Sequence, residues 1–101
     1  MTRNDKTVYS RDTLQSMAEL YAMLGDPTRL SIVISLIDQE RCVQDIAEVV
    51  NMSPSAVSHQ LRLLKALKLV RFRKAGKMAF YTLNDEHVLH LLKIGKEHVE
   101  E

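Results

Sequence analysis

Apolar residues recur at helical spacing through most of this chain and give way to strict alternation in one place only. Leu14, Met17, Leu20, Tyr21 and Leu24 predict a first helix from about Ser10 to Leu24, closed by Gly25. Asp26 is placed to cap a second helix and Pro27 to open it, where a missing N–H costs nothing. Leu30, Val33, Ile34 and Ile37 form its apolar face, and it is expected to end near Gln39. Glu40 to Val43 reads as a short connector. A third helix, about Val43 to Val50, buries Ile46, Ala47 and Val50. After the turn Asn51-Met52, Ser53 caps and Pro54 begins a helix reaching about Leu67. Val57, Leu61, Leu64 and Leu67 point inward there, leaving Ser55, Ser58, His59, Arg62 and Lys65 outward. Val70 and Phe72 then alternate with Arg71 and Arg73. Leu69–Arg73 and Met78–Leu83 predict a β-hairpin around Lys74-Ala75-Gly76-Lys77. Asn84 or Asp85 caps a last helix that runs to Glu101. The fold class is therefore mainly α with a β-hairpin (α+β), in the order of a winged helix–turn–helix.

At 101 residues the chain has room for one core. Residues 1–9 are polar and read as a flexible N-terminal arm, with residues 10–101 forming the domain. No apolar run is long enough for a bilayer, and the start MTRNDKT has no secretory pattern. A single cysteine, Cys42, excludes an internal disulfide, so a cytoplasmic protein without membrane contact is expected. The net charge of +1 conceals a segregation. Ser53 to Phe80 holds seven basic residues (Arg62, Lys65, Lys68, Arg71, Arg73, Lys74 and Lys77) and no acid, whereas five of the thirteen acids lie at or after Asp85. That division predicts a polyanion-facing middle and a cation-binding end. A solubilising surface is the plain alternative for the basic tract, but the tract coincides with the expected recognition helix and hairpin. Double-stranded DNA is thus the expected partner, bound with strong salt dependence. Ser53, Ser55, Ser58, His59, Gln60, Arg62 and Lys65 are its candidate contacts on the helix, and Arg73, Lys74 and Lys77 on the hairpin. Neither a glycine-rich phosphate loop nor a triad spacing is present, so no enzymatic activity is expected.

The acidic end carries a second chemistry. Asp85, His87, His98 and Glu101 read D-x-H, ten residues, then H-x-x-E, and all four are ligand types for a zinc-like cation. His87 and His98 are eleven residues apart, or three helical turns plus ~20°, so they share a face but stand roughly 16 Å apart. Metal–ligand bonds of about 2 Å cannot span that gap. Two antiparallel copies of the helix can, which predicts a homodimer with two symmetric intersubunit sites. A donor set of nitrogen and oxygen suits Zn(II) or Co(II), with Ni(II) as a further candidate, over soft thiophilic metals. His90 falls outside the motif and reads as surface or interface filler. Met17, Met23, Met52 and Met78 read as packing. Gly95, inside the last helix, either admits close approach of a paired helix or is simply tolerated.

The segments LGDPTRLSIV (Leu24–Val33), MSPSAVSHQLRLLKALKLV (Met52–Val70) and RKAGKMAFYTLND (Arg73–Asp85) resemble the bacterial ArsR/SmtB metal-sensing repressors over nearly the whole chain after its first ten residues. The resemblance implies a winged-helix homodimer that represses an operon as the apo protein and leaves an inverted-repeat operator on binding metal. The D-x-H…H-x-x-E pattern is similar to the zinc-responsive subgroup, which carries the ligand role to Asp85, His87, His98 and Glu101. One departure stands out. Where soft-metal sensors of the family hold a C-x-C pair, this chain reads Cys42-Val43-Gln44-Asp45, so no thiolate site is expected there. Two other readings compete: a DNA-binding repressor of another signal with the His/Asp cluster as a structural zinc clamp, and a winged helix whose basic face meets an acidic protein.

Overall fold

A computed structural model describes residues 8–101; residues 1–7 of the expected arm lie outside them. The elements run α1 (Arg11–Leu24), α2 (Pro27–Ile34), β1 (Arg41–Cys42), α3 (Val43–Val50), α4 (Pro54–Ala66), β2 (Val70–Ala75), β3 (Met78–Leu83) and α5 (Glu86–Glu100). The architecture is the expected winged helix–turn–helix. Side-chain caps start four of the helices. Ser10 accepts from the Thr13 N–H, Asp26 from Arg29, Ser53 from Ala56 and Asp85 from Val88. Asn51, in the left-handed region at φ 58°, closes α3 and begins the turn into α4.

The core is built around α4. Its Val57, Leu61 and Leu64 are fully buried against Ile32, Val33 and Leu36 from the α2 region, Ile46 and Ala47 of α3, and Leu69 and Val70 at the start of the wing. Burial of such aliphatic side chains stabilises by roughly 1.5–3 kcal/mol each. α5 adds only Val88 and Leu92, one turn apart. From Lys93 to its end α5 is exposed, and α1 contains no buried residue at all. These two helices do not complete their packing within one chain.

Several local expectations are corrected. α2 ends at Ile34, not near Gln39. Ser35 Oγ donates to the Ile32 carbonyl at 2.6 Å, and the Ser35 carbonyl accepts from Arg41 Nε at 2.7 Å. The chain then tightens, with Leu36 and Ile37 donating to carbonyls three residues back. The buried stripe of α2 is also rotated. Ile32 and Val33 are sealed, whereas Ile34 is 48% exposed. On α1, Leu14 and Tyr21 are likewise half exposed, as is Met78 at the wing. The connector of residues 40–43 contains a strand: β1 pairs antiparallel with β3, giving a three-stranded sheet of order β1-β3-β2. The hairpin turn is shorter than the four residues expected. Ala75 pairs with Met78, leaving Gly76-Lys77 as a two-residue turn. Gly76 has φ 64°, a first-position requirement that glycine meets without strain.

Leu61→Ala should lower unfolding free energy by about 2–5 kcal/mol, because its side chain is wholly enclosed by three helices. Val49→Ala, at a 54% exposed position of α3, should change it by no more than about 0.5 kcal/mol. Urea unfolding of the two variants checks this contrast.

Candidate functional site

α4 presents its outer face because its inner face is committed to the core. Ser55, Ser58, His59 and Arg62 follow one another at helical spacing and are all exposed, with Ser53 exposed at the helix start. Ser53 Oγ is engaged in the cap, 3.1 Å from the Ala56 nitrogen. Gln60 stands apart from this stripe. It is half-buried, and its Oε1 accepts from Arg29 Nε on α2 at 3.0 Å. Lys65 is exposed near the end of α4, its Nζ 4.6 Å from the centre of the Phe72 ring on β2. Phe72 in turn packs on Tyr81, ring centres 5.4 Å apart. This cation–aromatic stack joins the recognition helix to the wing through Lys65, an expected DNA contact, and Phe72, to which the sequence pattern gave no functional role.

All seven cations between Ser53 and Phe80 are exposed. Lys74 lies in β2 and Lys77 in the turn, so both project from the wing tip. Arg73 differs from the other six: among the described residues it alone of this set has an acidic partner, Glu40. Its Nε donates to Glu40 Oε2 at 3.0 Å, its Nη2 donates to Oε1, and its guanidinium carbon lies 5.1 Å from the centre of the Phe80 ring. The Arg73 hydrogen bonds hold the Glu40 carboxyl below its usual range, and Glu40 raises Arg73 in return.

Asp85 and His87 sit at the start of α5, His98 and Glu101 at its end, and all four are exposed. His87 Nδ1 is 3.6 Å from Asp85 Oδ1. No group of three or more metal-binding side chains comes together within the described residues of one chain. Asp85 has structural partners as well. Asn84 Nδ2 donates to its Oδ2 at 3.1 Å and the Val88 N–H to its Oδ1 at 3.2 Å. These bonds, the Asn84 amide foremost, keep the carboxyl below its ordinary range and hence ionised, the form a cation requires. The donor types therefore fit a divalent metal, while the geometry within one chain supplies two separated halves. His90 is exposed on α5 without a place in either half. Cys42 is buried at the junction of β1 and α3, and Asp45 is exposed.

Sequence reasoning did not single out Arg29, Glu40, Phe72 or Asn84. Phe72, an aromatic inside the basic tract, could have drawn attention; Arg29 and Glu40 could not, because their partners Gln60 and Arg73 lie far away in the chain.

Comparison with known proteins places this arrangement. Residues 26–71 match the family model of bacterial regulatory proteins of the arsR family. A transcriptional repressor SmtB homolog of Synechocystis is 44% identical over 94 residues, covering 93% of this chain and 71% of the relative. A cadmium resistance transcriptional regulatory protein CadC homolog of Staphylococcus aureus is 41% identical, covering 76% of this chain and 64% of the relative. A homodimeric winged helix–turn–helix DNA-binding domain from Mycobacterium bovis superposes with a TM-score of 0.87 at 26% identity, over 98% of this chain and 92% of its own. No helix among the described residues is long and apolar enough to cross a membrane. With a core that turns α4 outward, a basic wing beside it and relatives that are transcriptional regulators, the chain belongs to the arsR family of bacterial regulatory proteins and is not an enzyme.

Proposed function

We propose that this protein is a metal-responsive repressor of the cytoplasm, bound to operator DNA as an apo homodimer and released when Zn(II) or Co(II) is held between the α5 helices of the two protomers. The observation that carries the reading is the division of four ligand-type side chains between the two ends of an exposed helix. Asp85 and His87 of one protomer would meet His98 and Glu101 of an antiparallel partner helix, twice per dimer. Unfinished packing supports the pairing. Tyr21, Leu30, Ile34, Leu91 and Val99 line an apolar groove of about 600 Å³ between α1, α2 and α5, continuous with the ligand-bearing helix. A second copy covers that groove in this reading, and Gly95, whose added Cβ would meet nothing within 4 Å in its own chain, lies on it. The names of the relatives, an SmtB homolog and a cadmium resistance regulator, support metal response as the signal.

Each part of the chain then has a task. Ser55, Ser58, His59 and Arg62 enter the major groove of each half of an inverted repeat, while Lys74 and Lys77 follow the backbone from the wing. Asp85 offers an ionised carboxylate already oriented by Asn84. His87 and His98 offer imidazole nitrogens, and Glu101 completes the shell. A bound cation supplies Lewis-acid bridging between two helices that otherwise meet only through side-chain packing. The bridge favours a dimer geometry that fits the operator poorly, and the coupling is reciprocal: DNA must weaken metal uptake by the factor with which metal weakens DNA binding.

Fluorescence titration of operator with dimer should show Zn(II) weakening affinity by about 5–150-fold, and His98→Gln should abolish this response while preserving apo affinity. No metal uptake by the dimer, or uptake without change in affinity, overturns the proposal. A loss of DNA binding on chelation identifies a structural clamp instead, and equal affinity for operator and random DNA at physiological salt identifies a protein-interaction module.

Asp85 separates capping from coordination. The folded carboxyl is lowered, so the cap's contribution is present above the ordinary carboxylate range and is lost as pH falls through the folded value. At neutral pH with chelator, Asp85→Ala should lower the melting temperature, whereas Asp85→Asn, an equally good cap, should not. Both should weaken zinc uptake, as read by calorimetry. Zinc affinity of the native dimer should also fall as pH drops, because imidazole must shed its proton to bind. Cys42→Ser should leave that affinity unchanged.

A further inference from the structure

The contact between Glu40 and Arg73 joins residues 33 positions apart, from the residue before β1 to the body of β2, the two outer strands that flank β3. It has no part in the core, since both side chains are largely exposed, at 36% and 58%. Nor does it belong to the recognition stripe or to the α5 ligands. Its geometry is the informative feature. Arginine grips phosphate through a planar fork of two N–H donors, and here the Nε and Nη2 fork is already filled by both oxygens of one carboxylate. Phe80 covers the guanidinium nearby. Glu40 is held in place by its neighbour: Arg41 donates to the Ser35 carbonyl at 2.7 Å and pairs with Tyr81 in the sheet.

We propose that Glu40 is an affinity-setting residue for DNA, an internal stand-in for phosphate that withholds Arg73 of the wing from the nucleic-acid backbone. Of the cations expected to contact DNA, Arg62, Lys65, Lys74 and Lys77 then remain available on each protomer and Arg73 is masked. The arrangement limits non-specific affinity, which is almost wholly electrostatic, without touching the side chains that approach base edges. An exposed ion pair is weak enough for this to be a matter of degree that one substitution can shift. The inference rests on the DNA-binding reading but not on the metal reading.

Binding of the apo protein to a mixed-sequence duplex, measured by anisotropy across a salt series, tests it without knowledge of the operator. Wild-type protein that does not bind this duplex even at low salt overturns the DNA-binding reading itself. Given wild-type binding, Glu40→Gln should bind more tightly, with a log–log salt slope steeper by about one to two, for one or two added phosphate contacts per dimer. Arg73→Gln alone, which bares the Glu40 carboxylate, should bind no more tightly than wild type. In the double variant Glu40→Gln/Arg73→Gln the gain should vanish; its persistence would mark a general effect of removing a negative charge and overturn the masking role. Weaker or unchanged binding by Glu40→Gln also overturns it, as does weaker binding by the double variant, which keeps the wild-type net charge, because Arg73 would then already reach DNA in the native protein. Circular dichroism confirms that each variant is folded.

Discussion

A helix is a rod, and a rod cannot fold its ends together. The fifteen residues of α5 extend roughly 22 Å, an order of magnitude more than a metal–ligand bond. Asp85 and His87 therefore stand at a distance from His98 and Glu101 that no side-chain rotation closes. Every functional assignment beyond DNA binding follows from this separation. A four-ligand shell made from these residues demands a second chain, the second chain demands a surface, and α1 with the outer half of α5 presents apolar side chains that the single chain leaves uncovered. The chemistry of the ligands and the incompleteness of the packing thus point to the same partner.

The same economy governs the nucleic-acid face. Val57, Leu61 and Leu64 fix α4 by complete burial, so the orientation of its outer stripe is set by the core and not by the ligand. Leu69 and Val70 carry that rigidity into the wing, where Lys65, Phe72 and Tyr81 stack between helix and sheet. Helix and wing can then move as one body. On the proposed reading a change in the spacing of two protomers moves two rigid readers relative to the DNA, which requires no deformation inside either.

Much of this was legible in the amino-acid order because it is written in local signals. Caps at Asp26, Ser53 and Asp85, prolines at two helix starts and the alternation from Leu69 onward each depend on residues within a turn of one another. The D-x-H…H-x-x-E spacing on α5, on which the proposed metal reading rests, is local in the same sense. What escaped is non-local. β1 exists only because Arg41 and Cys42 meet Tyr81 and Phe80, about forty residues later, and a two-residue strand has no periodicity to read. The early end of α2 depends on Arg41 reaching back to Ser35. On α2, Val33 is sealed and Leu30 and Ile37 pack against the core as expected, but Ile34, with the right spacing for the same stripe, stands half exposed at the groove beside α5, whose apolar character a sequence pattern cannot distinguish from burial. Among site residues, Gln60 and Arg73 have the chemistry of DNA contacts, but their partners Arg29 and Glu40 come from distant elements.

On the proposed reading Asp85 is a ligand both structural and responsive. Its carboxylate closes the N-terminus of α5 through Val88 while Asn84 fixes the other oxygen. The helix start is therefore formed, and the acid ionised, before any cation arrives. Preorganisation of this kind lowers the ordering cost of binding, so more of the binding free energy remains for biasing one dimer geometry over another. Among the described residues, His98 and Glu101, at the exposed far end, have no comparable side-chain support. On the proposed reading the two halves of each site are unequal for that reason: the prepared half belongs to a capped helix start packed on the core through Val88, and the half that must be brought to it belongs to a helix end positioned by the partner. A ligand shell so divided responds to how the two protomers sit, which is the variable a two-headed DNA reader also depends on.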